Sequence, residues 1–264
     1  MASKPNSSSR RVIGKALRKV DAAAKVTGAT KFADDFAFPR MLYCKLLRST
    51  QPHARIVSID TSAASQLPSV QAVLVGRDLP IPFGILPVSQ DEHTLCVDRV
   101  RFIGDPVAAV AATTEEIASS AIDLIRVEYE ALKSFASAED AVANPEPRIH
   151  DYGDVGNLHK LIDLEFGDAE AGIAEGDIVR EDLFFFEGST HLPMEQHAAV
   201  AMWSPDGKLT LWTSTQTPHY VHRALAKVLE LPAARIRVIA TPNGGGFGGK
   251  GDPFKHEIAV AKLP

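Results

Sequence analysis

The stretch RIRVIATPNGGGFGGK, residues 235–250, places a strand pattern directly before a glycine-rich loop. Basic and apolar side chains alternate at its start, which predicts a β-strand with one buried face over 235–240. Five of the seven residues at 244–250 are glycine. Glycine permits positive φ angles, and successive backbone N–H groups can then face one concavity that binds an anion or an oxo group. We therefore expect a binding loop at the end of this strand.

The sequence before the loop predicts a small sheet with a crossing helix. Pro205-Asp206-Gly207 is a turn signal between two apolar runs and predicts a hairpin. A helix is predicted over 218–229, because Pro218 suits a first helical turn and apolar residues follow at helical spacing. The strands expected in this part of the chain are 160–166, 177–187, 198–203, 208–214 and 235–240.

The first half of the chain also mixes strand and helix patterns. Thr113 or Thr114 is expected to cap one helix, and Glu115 and Glu116 place favourable negative charge in its first turn. Strands are expected at 41–47, 54–59, 70–76, 99–103, 106–112 and 126–130, and helices at 61–67, 114–125 and 138–143. Strands and helices occur throughout, so the fold class is α/β (α+β).

The chain divides into a tail, two domains and a linker. Residues 1–20 carry six basic side chains and no acid, which predicts a basic flexible tail. We expect a first domain at 21–145, a linker rich in proline and glycine at 146–158, and a second domain at 159–264. A helical pattern begins just before the final residues. We therefore expect the second domain to be truncated and the chain to be part of a longer protein.

Composition excludes several classes of protein. Of the 264 residues, 45% are hydrophobic and 23% charged, which argues against extensive disorder. The net charge of −5 argues against nucleic acid as a partner, and no apolar run reaches the ~18–20 residues of a membrane span. Cys44 and Cys96 are the only cysteines, so a disulfide scaffold, a cysteine-rich zinc site and an iron–sulfur cluster within this chain are excluded. Two unpaired thiols in apolar stretches fit a cytoplasmic protein.

Two phosphate-binding interpretations of the glycine loop are incomplete. Residues 244–249 fit the dinucleotide pattern G-x-G-x-x-G, but the acidic residue expected about 20 positions later would fall beyond this chain. Residues 244–250 fit the P-loop pattern G-x-x-x-x-G-K, but Gly251 replaces the hydroxyl residue that binds Mg²⁺. A mobile glycine turn without a ligand is the plainest alternative.

A third interpretation uses more of the chain. Phe247 adds an aromatic ring beside the exposed amides, which suits a planar substrate. Gln216 lies between a predicted strand and a predicted helix, with an amide donor at the helix start. An amide and a set of backbone donors at strand ends of one sheet can hold an electron-rich centre from two sides. This interpretation predicts that Gln216 and the Phe247 turn converge.

The other candidate residues have simpler explanations. His219 and His222 lie three positions apart on a predicted helix, but no third metal ligand accompanies them. Structural hydrogen bonds or turns are also favoured for the remaining candidates, His191, Glu195, His197 and the pair Asp34-Asp35.

Several short motifs, taken in order, resemble the molybdenum-binding large subunit of the xanthine dehydrogenase/aldehyde oxidase family of molybdenum hydroxylases. The resemblance implies an α/β hammerhead domain followed by the first part of a molybdopterin-binding domain. The motifs are Lys25-Val26-Thr27-Gly28-Ala29 with Asp35, Leu47-Arg48-Ser49 before His53-Ala54-Arg55-Ile56, Gly104-Asp105-Pro106-Val107-Ala108, Met194-Glu195, Ser214-Thr215-Gln216 and Gly244 to Lys250.

The resemblance also implies roles for residues and partners. Gln216 would donate a hydrogen bond to the apical oxygen of molybdenum, which a pterin dithiolene carries, often as the cytosine dinucleotide. Iron–sulfur clusters and FAD would lie on partner subunits. The general-base glutamate of the family would lie beyond Pro264, so no catalytic residue and no direct metal ligand is expected here. The loop residues implied to hold the cofactor are Gly245, Gly246, Phe247 and Gly248.

Two features refine the substrate expectation. Xanthine-oxidising members carry a substrate-orienting glutamate where this sequence has Gly251, which disfavours a purine. Pro82-Phe83-Gly84-Ile85-Leu86-Pro87 and the Gly104-Asp105-Pro106 region most resemble 4-hydroxybenzoyl-CoA reductase, which removes a phenolic hydroxyl from an aromatic CoA thioester. A hydroxylase of another substrate and a nucleotide-phosphate-binding module without redox chemistry remain the alternatives.

Overall fold

A computed structural model describes residues 12–85, 90–153 and 155–263 of the chain. Most of the predicted tail, residues 1–11, and the end of the 82–87 motif lie outside these ranges. The helices are α1 (Ala22–Val26), α2 (Ser62–Gln66), α3 (Glu115–Leu124), α4 (Ala138–Ala143), α5 (Ala169–Ala174), α6 (Pro218–Val228) and α7 (Lys255–Lys262). The strands are β1 (Tyr43–Arg48), β2 (Ala54–Asp60), β3 (Val70–Val75), β4 (Arg99–Val100), β5 (Pro106–Ala112), β6 (Arg126–Ala131), β7 (Ala199–Trp203), β8 (Leu209–Thr213) and β9 (Ile236–Ala240).

The first part of the chain contains two three-stranded antiparallel sheets. One has the order β1-β5-β3 and the other β4-β2-β6. Every residue of β5 is buried, as its uninterrupted apolar run predicts for a central strand. Helix α3 packs its Ala121 into the same core as Ala108 and Val110 of β5. The hydroxyl of Thr114 accepts a hydrogen bond from the Ile117 N–H, so Thr114 is the predicted cap.

The third sheet, with the order β7-β8-β9, positions the glycine loop. The turn at 205–207 joins β7 and β8 into the predicted antiparallel hairpin, and Gly207 takes a φ of +75° there. Strand β9 pairs parallel to β8 after α6 crosses between them. The apolar residues Val221, Leu225 and Val228 of α6 are buried, as the predicted spacing requires.

Three expectations about strands are wrong, two of them entirely and one in its end point. Residues 160–166 and 177–187 form no strand, because their backbone meets no neighbouring strand within the described residues. Leu183, Phe184 and Phe185 are therefore almost fully exposed. The strand predicted at 99–103 ends at Val100, because Gly104 turns the chain with a φ of +96° and the Asp105 carboxylate accepts from the Arg101 N–H.

The two parts of the chain are in contact. Leu79 and Phe83 from the first part share a buried core with Leu225 and Ile258 from helices α6 and α7. Both cysteines are free thiols, as expected. Cys96 lies in a loop rather than in a strand, and burial raises the pKa of Cys44 to about 12. None of the helices in the described ranges has the length and apolarity needed to cross a bilayer.

Candidate functional site

The candidate site lies where β8 and β9 end side by side. Because these strands are parallel, the residues that follow them meet at one edge of the sheet. The segment 214–217 leads from β8 into α6, and 241–251 leads from β9 toward α7. Residues that are far apart in the sequence therefore face the same space.

The glycine loop presents backbone donors that the protein itself does not use. The N–H groups of Gly246, Phe247 and Gly248 donate to no acceptor among the described residues. The loop is held by its other amides: the Gly249 N–H donates to the Gly246 carbonyl at 2.7 Å, and the Gly251 N–H to the Gly248 carbonyl at 3.0 Å. Consecutive unpaired amides of this kind form sites for anions and oxo groups.

Two glycines and one aromatic residue of the loop adopt a left-handed backbone conformation. Gly245 and Gly248 have φ angles of +115° and +87°, and Phe247 has +50°, which is uncommon for a residue with a side chain. The Phe247 ring is 74% exposed and leans toward Gly245, where a Cβ atom would lie 3.2 Å from it. The strained turn therefore holds an aromatic face in the open, beside the unpaired amides.

Gln216 meets this loop, as the sequence predicts. Its Oε1 accepts a hydrogen bond from the Lys250 N–H at 3.2 Å, and its own N–H donates to the Lys250 carbonyl at 2.9 Å. A Cβ atom on Gly246 would lie 2.6 Å from Gln216 Cδ, so only glycine leaves room for the amide. The residue is exposed, and its NH₂ group has no acceptor among the described residues. A free amide donor therefore stands beside the backbone donors.

A buried ion pair beneath the loop gives Glu195 the structural hydrogen bonds that the sequence favours for it. Lys250 Nζ lies 2.6 Å from Glu195 Oε2, and the two side chains are 0% and 10% exposed. The same oxygen accepts from the Gly244 N–H at 2.8 Å. In the sequence, Glu195 stands before a predicted strand and Lys250 follows the last glycine of the loop. Neither position indicates that the two residues form a pair. Because Lys250 is buried and paired, it cannot serve as the lysine of a P-loop.

The histidines near the site pack against other residues of the protein. His191 lies against Gly249, where a Cβ atom would be 2.7 Å from its ring. His197 lies 4.2 Å from Phe254 between ring centroids, and burial together with the Lys250 charge lowers the pKa of His197. Burial lowers the pKa of His256 to about 3, so this ring stays neutral near pH 7. Within the described ranges, no three His, Cys, Asp or Glu side chains converge as a metal site.

His222 and the pair Asp34-Asp35 also have structural partners. The ring of His222 hydrogen-bonds to the Ala233 carbonyl at 3.1 Å. Asp34 and Asp35 lie in a single 3₁₀ turn, where the Asp35 carboxylate accepts from the Phe32 N–H at 2.9 Å. The turn predicted for this pair is confirmed.

A large open cavity lies elsewhere in the molecule. It measures about 2180 Å³ and is lined by both parts of the chain, including Phe38, Arg101 and His256. Gln216 and the residues 244–250 are not among its walls. The hydrogen-bond donors at the ends of β8 and β9 therefore lie outside the walls of this cavity.

Comparison with known proteins identifies both parts of the chain. The family described as "Aldehyde oxidase and xanthine dehydrogenase, a/b hammerhead domain" matches residues 27–133, and "Molybdopterin cofactor-binding domain" matches 149–263. A hammerhead domain followed by a molybdopterin-binding domain defines a class of molybdopterin-dependent oxidoreductases. Within that class, the chain belongs to the xanthine dehydrogenase family of molybdenum hydroxylase large subunits, which confirms the resemblance inferred from its motifs.

Named relatives align with most of the length of this chain. The nicotinate dehydrogenase large molybdopterin subunit of Eubacterium barkeri is 44% identical over 243 residues, covering 91% of this chain and 56% of the relative. A probable xanthine dehydrogenase subunit of Bacillus subtilis (strain 168) is 41% identical over 242 residues, covering 90% of this chain and 32% of the relative. The crystal structure of quinoline 2-oxidoreductase from Pseudomonas putida 86 superposes with a TM-score of 0.84 at 32% identity, covering 94% of this chain and 32% of that one. The chain thus spans between about a third and just over half of these relatives.

The residues at the loop fit a molybdopterin cofactor. The metal end of such a cofactor is rich in electrons, and the site offers it three unpaired backbone N–H groups and the NH₂ group of Gln216. The close approach of Gly246 to Gln216 leaves no space for a side chain between these donors. The donor set therefore matches the group that the family carries.

Proposed function

We propose that this chain forms part of the molybdenum-cofactor site of a molybdenum hydroxylase-type oxidoreductase that acts on an aromatic substrate. The observation that carries the proposal is the meeting of Gln216 with the three unpaired amides of Gly246, Phe247 and Gly248. When bound, the cofactor supplies the two-electron redox chemistry. We propose that its pterin is present as the cytosine dinucleotide form.

In this proposal, the residues of this chain bind and orient the cofactor and the substrate. The Gln216 NH₂ group and the loop amides donate hydrogen bonds to acceptors at the metal end of the cofactor, and the donors are fixed before binding. The Phe247 ring, which is 74% exposed, presents a face on which a planar substrate can rest. The family's general base would be supplied by sequence outside this chain.

Electron transfer requires partners in this proposal. We propose that iron–sulfur clusters and FAD lie on partner subunits of a heteromeric complex, because relatives of this chain, such as the nicotinate dehydrogenase large molybdopterin subunit, are named as subunits. Because the relatives are longer, further polypeptide would also cover the exposed apolar residues at 183–186. The two free thiols support a cytoplasmic location.

For the substrate, we propose a phenolic aromatic CoA thioester, as in 4-hydroxybenzoyl-CoA reductase. The support comes from the 82–87 and 104–106 motifs and from Gly251, which lacks the carboxylate that orients a purine. A second candidate is an aromatic nitrogen heterocycle, favoured by the 44% identity to a nicotinate dehydrogenase subunit. Turnover of 4-hydroxybenzoyl-CoA against nicotinate by the purified complex separates the two candidates.

Gln216→Ala tests the cofactor site. Loss of one hydrogen bond to a charged or strongly polar acceptor costs about 1.5–3 kcal/mol, so we expect activity to fall about 10- to 100-fold. Gln71→Ala is the matched control, since Gln71 is also an exposed glutamine but lies on β3. The measurements are turnover and molybdenum per chain by elemental analysis.

Two results would count against the proposal. The first is unchanged turnover and unchanged molybdenum content in Gln216→Ala. The second is purified protein that retains a nucleotide but no molybdenum, although its host makes the cofactor. The second result would favour the phosphate-binding alternative, despite the burial of Lys250.

A further inference from the structure

We propose that Glu195 and Lys250 are positioning residues that fix the direction in which the Gln216 amide faces. The inference rests on the proposed function, because it concerns the same donor. It assigns a role to a buried ion pair that touches neither the open side of the loop nor its unpaired amides.

The ion pair ties both ends of the glycine loop to one carboxylate oxygen. Glu195 Oε2 accepts from the Gly244 N–H at 2.8 Å and from Lys250 Nζ at 2.6 Å. Gly244 has no space for a side chain, since a Cβ atom there would lie 2.6 Å from Glu195 Cβ. The first and last residues of the loop are therefore held against the same, largely buried side chain, where the local dielectric strengthens the ion pair.

Lys250 transmits this constraint to Gln216 through its backbone. Its N–H donates to Gln216 Oε1, and its carbonyl accepts from the Gln216 N–H. A backbone N–H can only donate, so the side-chain atom facing it must be the amide oxygen. The NH₂ group then faces away from the Lys250 N–H. If the amide were turned by 180°, its oxygen would face the cofactor. The amide oxygen and the acceptor atom of the cofactor would then repel each other, and no hydrogen bond would form.

The pair is sensitive to the loss of either partner. Glu195 Oε1 is buried and has no hydrogen-bond partner within the described residues, so the carboxylate depends on Lys250 and Gly244 for its compensation. Without the ammonium group, a buried charge would remain unpaired, and the loop would move to let water reach it. Such a movement would release the Lys250 N–H from Gln216.

Hydrogen exchange measured by mass spectrometry on the purified full chain tests the first step. We expect Lys250→Met and the milder Glu195→Gln to speed exchange in a peptide covering 242–251 at least tenfold, with α6 unchanged. Lys255→Met is the matched control: Lys255 also forms a 2.6 Å ion pair, with Asp105, whose side chain is 3% exposed. This control should leave the loop unchanged. Unchanged loop exchange in Glu195→Gln, or an equal rise across α6, would overturn the proposal, even if Lys250→Met does not fold.

Molybdenum content tests the second step. If Lys250 acts through Gln216, Lys250→Met combined with Gln216→Ala should retain as much molybdenum per chain as Gln216→Ala alone. A further loss in the double variant would show that Lys250 acts by another route and would overturn the assignment. Unmodified protein without molybdenum, together with the expected loop exchange, would refute the proposed function and still support the pair's hold on Gln216.

Discussion

Gly246→Ala is expected to change the geometry of the site with little effect on the free energy of unfolding. The new Cβ atom would lie 2.6 Å from both Cδ and Oε1 of Gln216 and 3.0 Å from its Cγ. These atoms belong to an exposed side chain, so the amide can be pushed toward solvent while the loop keeps its path. The movement breaks the hydrogen bond between the Lys250 N–H and Gln216 Oε1.

The expected cost to folding is small. The lost hydrogen bond is worth about 0.5–1.5 kcal/mol. Alanine lowers the entropy of the unfolded chain, which contributes about 0.4–1 kcal/mol in the opposite direction where φ suits it. Gly246 does not have a positive φ angle, so its φ does not oppose this gain. We expect the free energy of unfolding to change by no more than about 1 kcal/mol.

The expected cost to cofactor binding is larger. Displacement of Gln216 removes one donor to an electron-rich acceptor, worth about 1.5–3 kcal/mol, or about a 10- to 100-fold loss of affinity. The assay is molybdenum per chain by elemental analysis, alongside urea unfolding of the same preparation.

Gly207→Ala is the control for this experiment. Gly207 has a φ of +75° in the β7–β8 turn, and a Cβ atom there would meet nothing closer than 3.7 Å. Left-handed alanine should destabilise the protein by about 1–2 kcal/mol. Folded Gly207→Ala protein should nevertheless retain its molybdenum. Full retention in Gly246→Ala, or an equal loss in both variants, would refute the reasoning.

Three further predictions concern the rest of the chain. Burial raises the pKa of Glu257 from about 4.5 to about 7, so stability present below pH 4.5 is lost as the pH rises toward 7, by up to ~3 kcal/mol. Urea unfolding across this range should show that slope, and Glu257→Gln should abolish it; the same slope in both proteins would contradict the assignment. Backbone amides at 177–187 should exchange at nearly unprotected rates in the purified chain, and protection equal to that of β8 would show that the segment is paired. Thr114→Ala should lower the free energy of unfolding by about 1 kcal/mol in urea, because the N-cap bond to the Ile117 N–H is lost; no change would show that this bond contributes nothing.

Patterns within short stretches of sequence predicted much of the fold. The hairpin around 205–207, helix α6 and the buried strand β5 follow from turn residues and from apolar spacing, which act between near neighbours along the chain. The strand predicted at 177–187 was wrong, because no strand lies beside this stretch within the described residues. A strand needs a partner, and local sequence does not supply one.

The glycine loop and the amide of Gln216 were both evident in the sequence, and the order of motifs identified the family. The tertiary structure decided how they meet: the parallel pairing of β8 with β9 brings Gln216 to Gly246 and to the backbone of Lys250, which is 34 residues from Gln216 in the sequence. It also decided that Glu195 pairs with Lys250, which is 55 residues away. Composition and spacing cannot choose among the many possible partners of one glutamate, because the choice depends on which strand ends become neighbours when the sheet forms.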